Sequence, residues 1–380
     1  MQSRNNAILL PCRSRSERHQ FERCPEILHG HEKCFVPPVP GSVAALLHPG
    51  SPFQRKHGKI LPFIARRDGR PVGCIAAIVN HSHNKHHGDR AGFFGFFACE
   101  DNAETAKSLF DAAADALRQH GCDSMRGPYS PSINDECGLL VEGFGNMPLV
   151  GSTWNPPYYE RLVAACGFDV LTRLLSVNLP LAELPDPPRL APIAARCRRQ
   201  SKARLRMIDI AHLPEELAVI GEVYNSTLVR NTGFYPVTKD DLATAAKDLA
   251  PIARRETMLI AECDGERAGV ALVVPNINEH LVRLKKTPRC LRLLHLLWLV
   301  KTRPIRTGRQ IVYGVAPKFR DARGLHGWLV YEHFVEVKKV MDYVEMGWIE
   351  ENNAEILAIC DVVGATPRNR WKIFTKELGV

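Results

Sequence analysis

The 380-residue sequence predicts a mixed α/β (α+β) protein built from two similar halves in tandem. Three observations carry that expectation. First, "FIARRDGRPVGCIAAIVN" (Phe63–Asn80) returns as "LIAECDGERAGVALVVPN" (Leu259–Asn276). Ala65, Asp68, Gly69, Gly73 and Asn80 match Ala261, Asp264, Gly265, Gly269 and Asn276, every pair 196 apart. Second, "NPPYYERLVAACGF" from Asn155 returns as "NNAEILAICDVVGA" from Asn352, 197 apart, each reaching a glycine twelve residues on. Third, the proline-rich "LAELPDPPRLAPI" (Leu181–Ile193) stands between the copies. Two elements repeating in one order at offsets of 196 and 197 mark a duplicated unit. The expected organisation is an N-terminal domain 1–180, a linker 181–193 and a C-terminal domain 194–380.

Each element follows from local chemistry. The first repeat reads as strand, Asp-Gly turn, strand, because Asp-Gly accepts the left-handed conformation a tight hairpin needs. Next comes a helix: Ala103–Gly121 has Leu109, Ala112, Ala113 and Leu117 near helical spacing and a glycine stop, and Leu325–Tyr343 is its counterpart. The second repeat reads as an asparagine-capped short helix ended by Gly167 or Gly364, before a last strand. "FFGFF" (Phe93–Phe97) reads as a core strand. "NHSHNKHH" (Asn80–His87) lacks the regular spacing of a zinc-binding helix and has only Asp89 as a nearby carboxylate. It is predicted to be a solvated hairpin tip, and no metal is expected.

Composition narrows the class of partner. Fifty Lys and Arg against 41 Asp and Glu leave a formal charge of +9, which suits an anionic partner: a phosphate-bearing cosubstrate, an acidic lipid surface or nucleic acid. The twelve cysteines are scattered with no C-x-x-C, so neither a zinc knuckle nor a redox pair is indicated. With no apolar run long enough to span a bilayer or serve as a signal peptide, a reducing cytoplasmic setting is expected. One stretch stands apart. Leu284–Arg309 has an apolar block (Leu291, Leu293, Leu294, Leu296 to Val300) with basic residues on both sides. That is the composition of an interfacial helix on an anionic membrane, or of a buried helix with exposed basic ends.

"VYGVAPKFRDARGLHGWL" (Val312–Leu329) resembles the segment with which GNAT acyltransferases end their central strand. Val315, Pro317 and Arg320 match V-x-P-x-x-R; Arg323, Gly324 and Gly327 follow before a helix, with the first loop glycine one residue late. The first half has no such loop. "GFFGFFACEDN", "RGPYSPSINDECGLLVEGF", "YNSTLVRNTGFYPVT" and "WIEENNAEILAICDVVGATPRNRWKIF" extend the resemblance to bacterial tandem GNAT-like N-acyltransferases, some of them ceramide synthases. An aromatic residue expected near Leu228 is absent. The resemblance implies two tandem GNAT folds and acyl-CoA as cosubstrate, bound at Val315, Arg320, Arg323, Gly324 and Gly327 through loop amides, glycine backbone and arginines. It also implies an amine acceptor, a small molecule or a lipid such as a sphingoid base, and acyl-CoA or an acyl carrier protein as donor.

Acylation of an amine by a thioester needs a base or water path and donors for the oxyanion, without a covalent nucleophile. The irregular stretch "GPYSPSINDECGLLVEGF" (Gly127–Phe144) offers Asn134, Asp135 and Glu136; otherwise the first two read as turn caps and Glu136 as a helix-start acid. Tyr158 is a candidate donor to the leaving thiolate, and Glu345, on an otherwise apolar strand, is either paired in the core or catalytic. Two other readings stay open: an aminoacyl-tRNA-dependent Fem-type transferase, although nucleic acid is the less expected partner, and a non-catalytic GNAT-fold binding module.

Overall fold

The computed structural model describes residues 7–229, 231–320, 322 and 324–379. The chain begins Ile8–Pro11 (β1), Arg15–His29 (α1), Ser42–Leu46 (α2), Pro52–Lys56 (α3), Gly58–Arg67 (β2), Arg70–Asn80 (β3) and His81–His87 (α4). Ala91–Cys99 (β4), Ala103–Gln119 (α5), Ser124–Gly127 (β5), Tyr129–Ser130 (β6), Glu136–Cys137 (β7), Leu139–Glu142 (β8) and Tyr159–Ala165 (α6) follow. Then come Asp169–Leu179 (β9), Ala191–Gln200 (α7), Ala203–Met207 (β10), Leu213–Thr227 (α8), Lys239–Leu249 (α9), Met258–Cys263 (β11) and Glu266–Pro275 (β12). The chain closes with Asn278–Leu281 (α10), Arg292–Thr302 (α11), Thr307–Val315 (β13), Leu325–Lys338 (α12), Tyr343–Glu350 (β14), Ala354–Val362 (α13) and Thr366–Glu377 (β15).

Two compact units result. The first comprises residues up to 174, 280–296 and those from 369 on; the second comprises 175–279 and 297–368. Strand order in the first is β1-β2-β3-β4-β5-β15, and in the second β10-β11-β12-β13-β14-β9. The orders correspond strand for strand, and in each the fourth and fifth strands are the parallel pair. The units cut across the domain extents expected from sequence, because β15 closes the first sheet and β9 the second. We keep 1–180 and 194–380 as the proposed extents of the duplicated sequence; residues 191–193 of the expected linker are the first turn of α7.

The hairpin repeat is borne out in backbone detail. Asp68 and Gly69 have φ of 50° and 77°, and Asp264 and Gly265 have 51° and 81°. Both hairpins carry a register shift at the same place, after Ala65 and after Ala261. Gly167 and Gly364 end their helices at φ of 79° and 77°. Two local readings need correction. Asn155 does not cap α6: its side chain is buried and bonds both N–H and C=O of Leu140, as a neighbouring strand would. The histidine-rich stretch is a helix, not a hairpin tip. Asn80 caps it by accepting from His83 N–H, and His83 and His87 stand one turn apart with ring centres 4.2 Å apart.

In the first unit α5 and α6 cover one sheet face, where Phe94, Leu109, Phe110, Leu117 and Leu162 form the core. β3 is buried on both faces, which is why it reads as a continuous apolar run. In the second unit α12 packs Leu325 and Leu329 against Val315 on β13, and Phe334 and Val337 against Val344 on β14. α8 packs against β12 and β13; a Cβ on Gly314 would meet the Thr227 side chain at 3.2 Å. The twelve cysteines are free thiols. Among the described residues no helix is long and apolar enough to cross a membrane.

Candidate active site

The site grows from a feature of the parallel strand pair in the second unit. β13 and β14 are laddered only from Thr307↔Tyr343 to Gln310↔Met346, although β13 continues to Val315 and β14 to Glu350. Beyond Gln310 and Met346 each strand leaves the other, and backbone is left at a gap where a ligand can be gripped. On the α12 side this parting opens on a narrow cavity of about 50 Å³ lined by Leu179, Leu181, Val273, Val330, Phe334 and Met346. Its polar groups are already committed. Gln310 Nε2 donates to the Leu272 and Val312 carbonyls, Tyr313 Oη to the His326 carbonyl at 3.2 Å, and His333 Nε2 to the Thr257 carbonyl at 3.1 Å. A cavity lined mostly by apolar side chains takes apolar ligand. Burial pulls the His333 imidazole down to about 4, so it is neutral at ordinary pH.

Alternation along β14 puts Glu345 on the opposite face from Met346. Glu345 is fully buried. Its Oε2 lies 2.9 Å from Arg368 Nε, yet neither carboxylate oxygen receives a well-aligned hydrogen bond. Its register neighbour on β13 is Arg309, itself buried, whose guanidinium stacks 4.0 Å over the Trp348 ring. Arg368 lies 5.1 Å over Tyr343. The Glu345 carboxylate and the Arg309 guanidinium are thus held away from water beside aromatic rings, and Arg368, partly exposed, completes the charged group. Arginine suits this, being planar and weakly hydrated. At the far end of β14, Glu350 Oε1 accepts the Thr232 N–H at 2.7 Å, tying the loop after α8 to the strand. Sequence pattern gave Glu345 but not its partners, since Arg309 and Arg368 lie 36 residues before it and 23 after it.

The residues expected to hold the cosubstrate lie at the start of α12. Val315 is buried in the α12 core, so its backbone alone is available to a ligand. Arg320 is exposed. Arg323 lies outside the described residues. Gly324 is the α12 N-cap at φ 83°, and a Cβ there would sit 2.4 Å from Cys197 Sγ. A Cβ on Gly327 would sit 3.3 Å from Ile193. Both glycines therefore have a packing reason of their own: α7 crosses the first turn of α12 at close range. The loop that replaces this one in the first unit is acidic, with Glu100 and Asp101 paired to Arg67 and Arg161, and offers no anion cradle.

The remaining candidates lie in the first unit. Ser132 organises a turn: its hydroxyl donates to Asp135 Oδ2 at 2.6 Å and accepts the Asn134 N–H at 3.2 Å, and its carbonyl accepts the Asp135 N–H. Glu136 is exposed on the short strand β7 and starts no helix, because the chain there pairs with β6. Tyr158 stands apart from them. Its hydroxyl donates to the Cys99 carbonyl at 2.7 Å, and burial pushes its pKa up. Beside it, Tyr159 Oη accepts the Cys99 N–H at 2.8 Å and lies 2.6 Å from His29 Nε2. The two tyrosines clamp the end of β4, a role that no spacing rule announces. Among the described residues no group of three or more metal-ligating side chains is placed to hold an ion.

No family model matches the chain. The "Bacterial ceramide synthase" of Caulobacter vibrioides (strain NA1000 / CB15N) is 28% identical over 375 residues, 97% of each chain. "Protein YghO" of Escherichia coli (strain K12) is 28% identical over 320 residues, 83% of this chain and 82% of its own. Among solved structures, a tandem GNAT protein from the clavulanic acid biosynthesis pathway superposes with a TM-score of 0.59 at 14% identity, covering 98% of this chain and 99% of that one. A GCN5-related N-acetyltransferase from Sphaerobacter thermophilus gives 0.52 at 11% identity, covering 98% and 97%. The protein is a tandem GNAT fold, as the motifs implied. Its full-length similarity to the Caulobacter protein supports the N-acyltransferase class that the motifs implied.

Proposed function

We propose that the protein transfers an acyl group from an acyl thioester to the primary amine of a sphingoid-type long-chain base. The observation that carries this reading is Glu345: a fully buried carboxylate without an aligned donor, on a strand that parts from its neighbour beside a largely apolar cavity. An amine entering from that face would give the carboxylate the N–H donor it lacks. An acyl thioester on the α12 side would bring its carbonyl carbon to the gap. The amine nitrogen attacks that carbon, the C–S bond breaks, and the amine proton passes to a carboxylate while the thiolate leaves. Glu345 is the proposed proton acceptor; Glu136, Asn134 and Asp135 are the other proposed catalytic residues. Tyr158, bonded to Cys99, would have to release that carbonyl before it could protonate the thiolate. Val315, Arg320, Arg323, Gly324 and Gly327 are the proposed contacts to coenzyme A. Similarity to a bacterial ceramide synthase over 97% of both chains supports the lipid acceptor. Such an acceptor implies a cytoplasmic protein that works at the inner leaflet.

The test is thiol release from palmitoyl-CoA and from acetyl-CoA by purified protein, with and without sphinganine or its 3-keto form. Release that needs both the long chain and the base supports the reading. Absence of release with every acceptor sinks it and moves weight to an aminoacyl-tRNA donor, detectable as ribonuclease-sensitive transfer, or to a binding module.

A further inference from the structure

We infer that α11 is the surface by which this protein rests on an anionic lipid bilayer, a conclusion that deepens the lipid-acceptor reading and rests on it. A helix apolar all round is normally buried on every side. This one is not. Arg292, Leu296 and Leu299 are buried on one side, with Arg292 paired to Glu26 at 2.7 Å. On the other side and in the turn before it, Leu291, Leu293, Leu294, Leu297 and Trp298 are 50 to 66% exposed. Positions 293, 294, 297 and 298 share one helical face, so these side chains form one patch. Exposed leucines and a tryptophan in one patch mark an interaction surface, and tryptophan suits the lipid–water boundary.

Charge selects the occupant. Between residues 280 and 320 there are eleven Lys and Arg and no Asp or Glu. The rest of the chain holds 39 basic against 41 acidic residues, so this segment carries the entire positive excess of the protein. Arg283 and Lys286 before the helix and Lys301 and Arg303 at its end are exposed; Arg289, exposed too, is paired to Glu26 at 2.7 Å. An apolar face bracketed by cations fits a bilayer of anionic lipids: leucines enter the acyl boundary while lysines and arginines stay among the headgroups. A second copy of this chain would set those cations against their own kind, which disfavours self-association through this face.

Vesicle co-sedimentation of the full chain tests the inference, with phosphatidylcholine vesicles with and without phosphatidylglycerol. The expected result is binding that requires phosphatidylglycerol and weakens with salt. The paired substitution Leu294→Asp and Trp298→Asp should reduce partitioning by at least about a hundredfold. Lys286→Glu with Lys301→Glu should remove the phosphatidylglycerol dependence. All four positions are exposed, so an unchanged melting temperature is expected of both variants. Binding left intact by the Asp pair overturns the inference. So does a wild-type dimer in light scattering that the Asp pair dissolves. Transfer from palmitoyl-CoA to sphinganine presented in neutral detergent micelles, with no vesicles, separates the two readings. Vesicle binding without any transfer keeps the surface and sinks the enzyme; transfer without vesicle binding does the reverse.

Discussion

Arg368 holds Glu345 by an ionic contact of 2.9 Å in the interior of the second unit, off the line of a good hydrogen bond. Removing one member of such a pair strands a buried charge, whereas removing both leaves only a packing defect. Arg368→Met is expected to destabilise the protein by about 3–5 kcal/mol. The double variant Glu345→Leu, Arg368→Met should recover most of that loss in urea unfolding. Glu345→Gln is expected to abolish transfer while the fold persists. A Glu345→Gln protein that turns over normally would remove this residue from the chemistry.

How much of this was legible in the sequence depends on the range of each interaction. The hairpins were legible because Asp68-Gly69 and Asp264-Gly265 are turn chemistry within four residues, and the bulges fell in register with them. The long helices were legible by period, and Glu345 by being a carboxylate among apolar neighbours. The partners of Glu345 were not, since strand pairing and β15 bring Arg309 and Arg368 to it from elsewhere in the chain. Nor was the neighbour of Gly324: a glycine before a helix reads as a phosphate cradle, and only the fold shows Cys197 behind it. Asn155 misled because an asparagine before a helix is usually a cap, and here the amide instead serves Leu140.

The contact of Gly324 with α7 makes a stability prediction that separates packing from ligand binding. Gly324→Ala places a Cβ 2.4 Å from Cys197 Sγ and forces a side chain into φ 83°. A loss of about 1–3 kcal/mol is expected without any ligand. Gly327→Ala, with its nearest neighbour at 3.3 Å, should lose less. Cys197→Gly should restore the steric part of the Gly324→Ala loss and leave the backbone part. Full stability of Gly324→Ala in thermal melts would mean that α7 does not sit there.

Tyr158 and Tyr159 grip opposite groups of one residue, Cys99, and their phenylalanine variants should differ accordingly. Tyr159→Phe leaves the Cys99 N–H buried without an acceptor, for an expected loss of about 1–3 kcal/mol. Tyr158→Phe frees the Cys99 carbonyl beside a partly exposed ring, where water can replace the lost hydroxyl, and about 1 kcal/mol is expected. If Tyr158 only clamps β4, Tyr158→Phe keeps its turnover; a drop of two orders of magnitude in kcat with little change in stability would make it the proton donor.

Three buried histidines set the acid limit of the fold. Burial is the first cause in each case: His29, His83 and His333 are pulled from the usual value of 6.5 down to about 4. A histidine whose pKa is lower in the folded than in the unfolded chain takes up its proton in the unfolded state first. Unfolding therefore binds protons between about pH 6.5 and 4, and stability falls as pH falls through that window. Above it these groups contribute no pH dependence. Each is expected to remove on the order of 1–3 kcal/mol across the window. His83 is the sharpest probe, because both ring nitrogens are buried without a hydrogen-bond partner. His83→Leu should leave stability at pH 8 nearly unchanged and flatten its decline toward pH 5. Urea midpoints measured from pH 8 to pH 5 decide it: parallel curves for the variant and the wild type would show that His83 is not held neutral by burial.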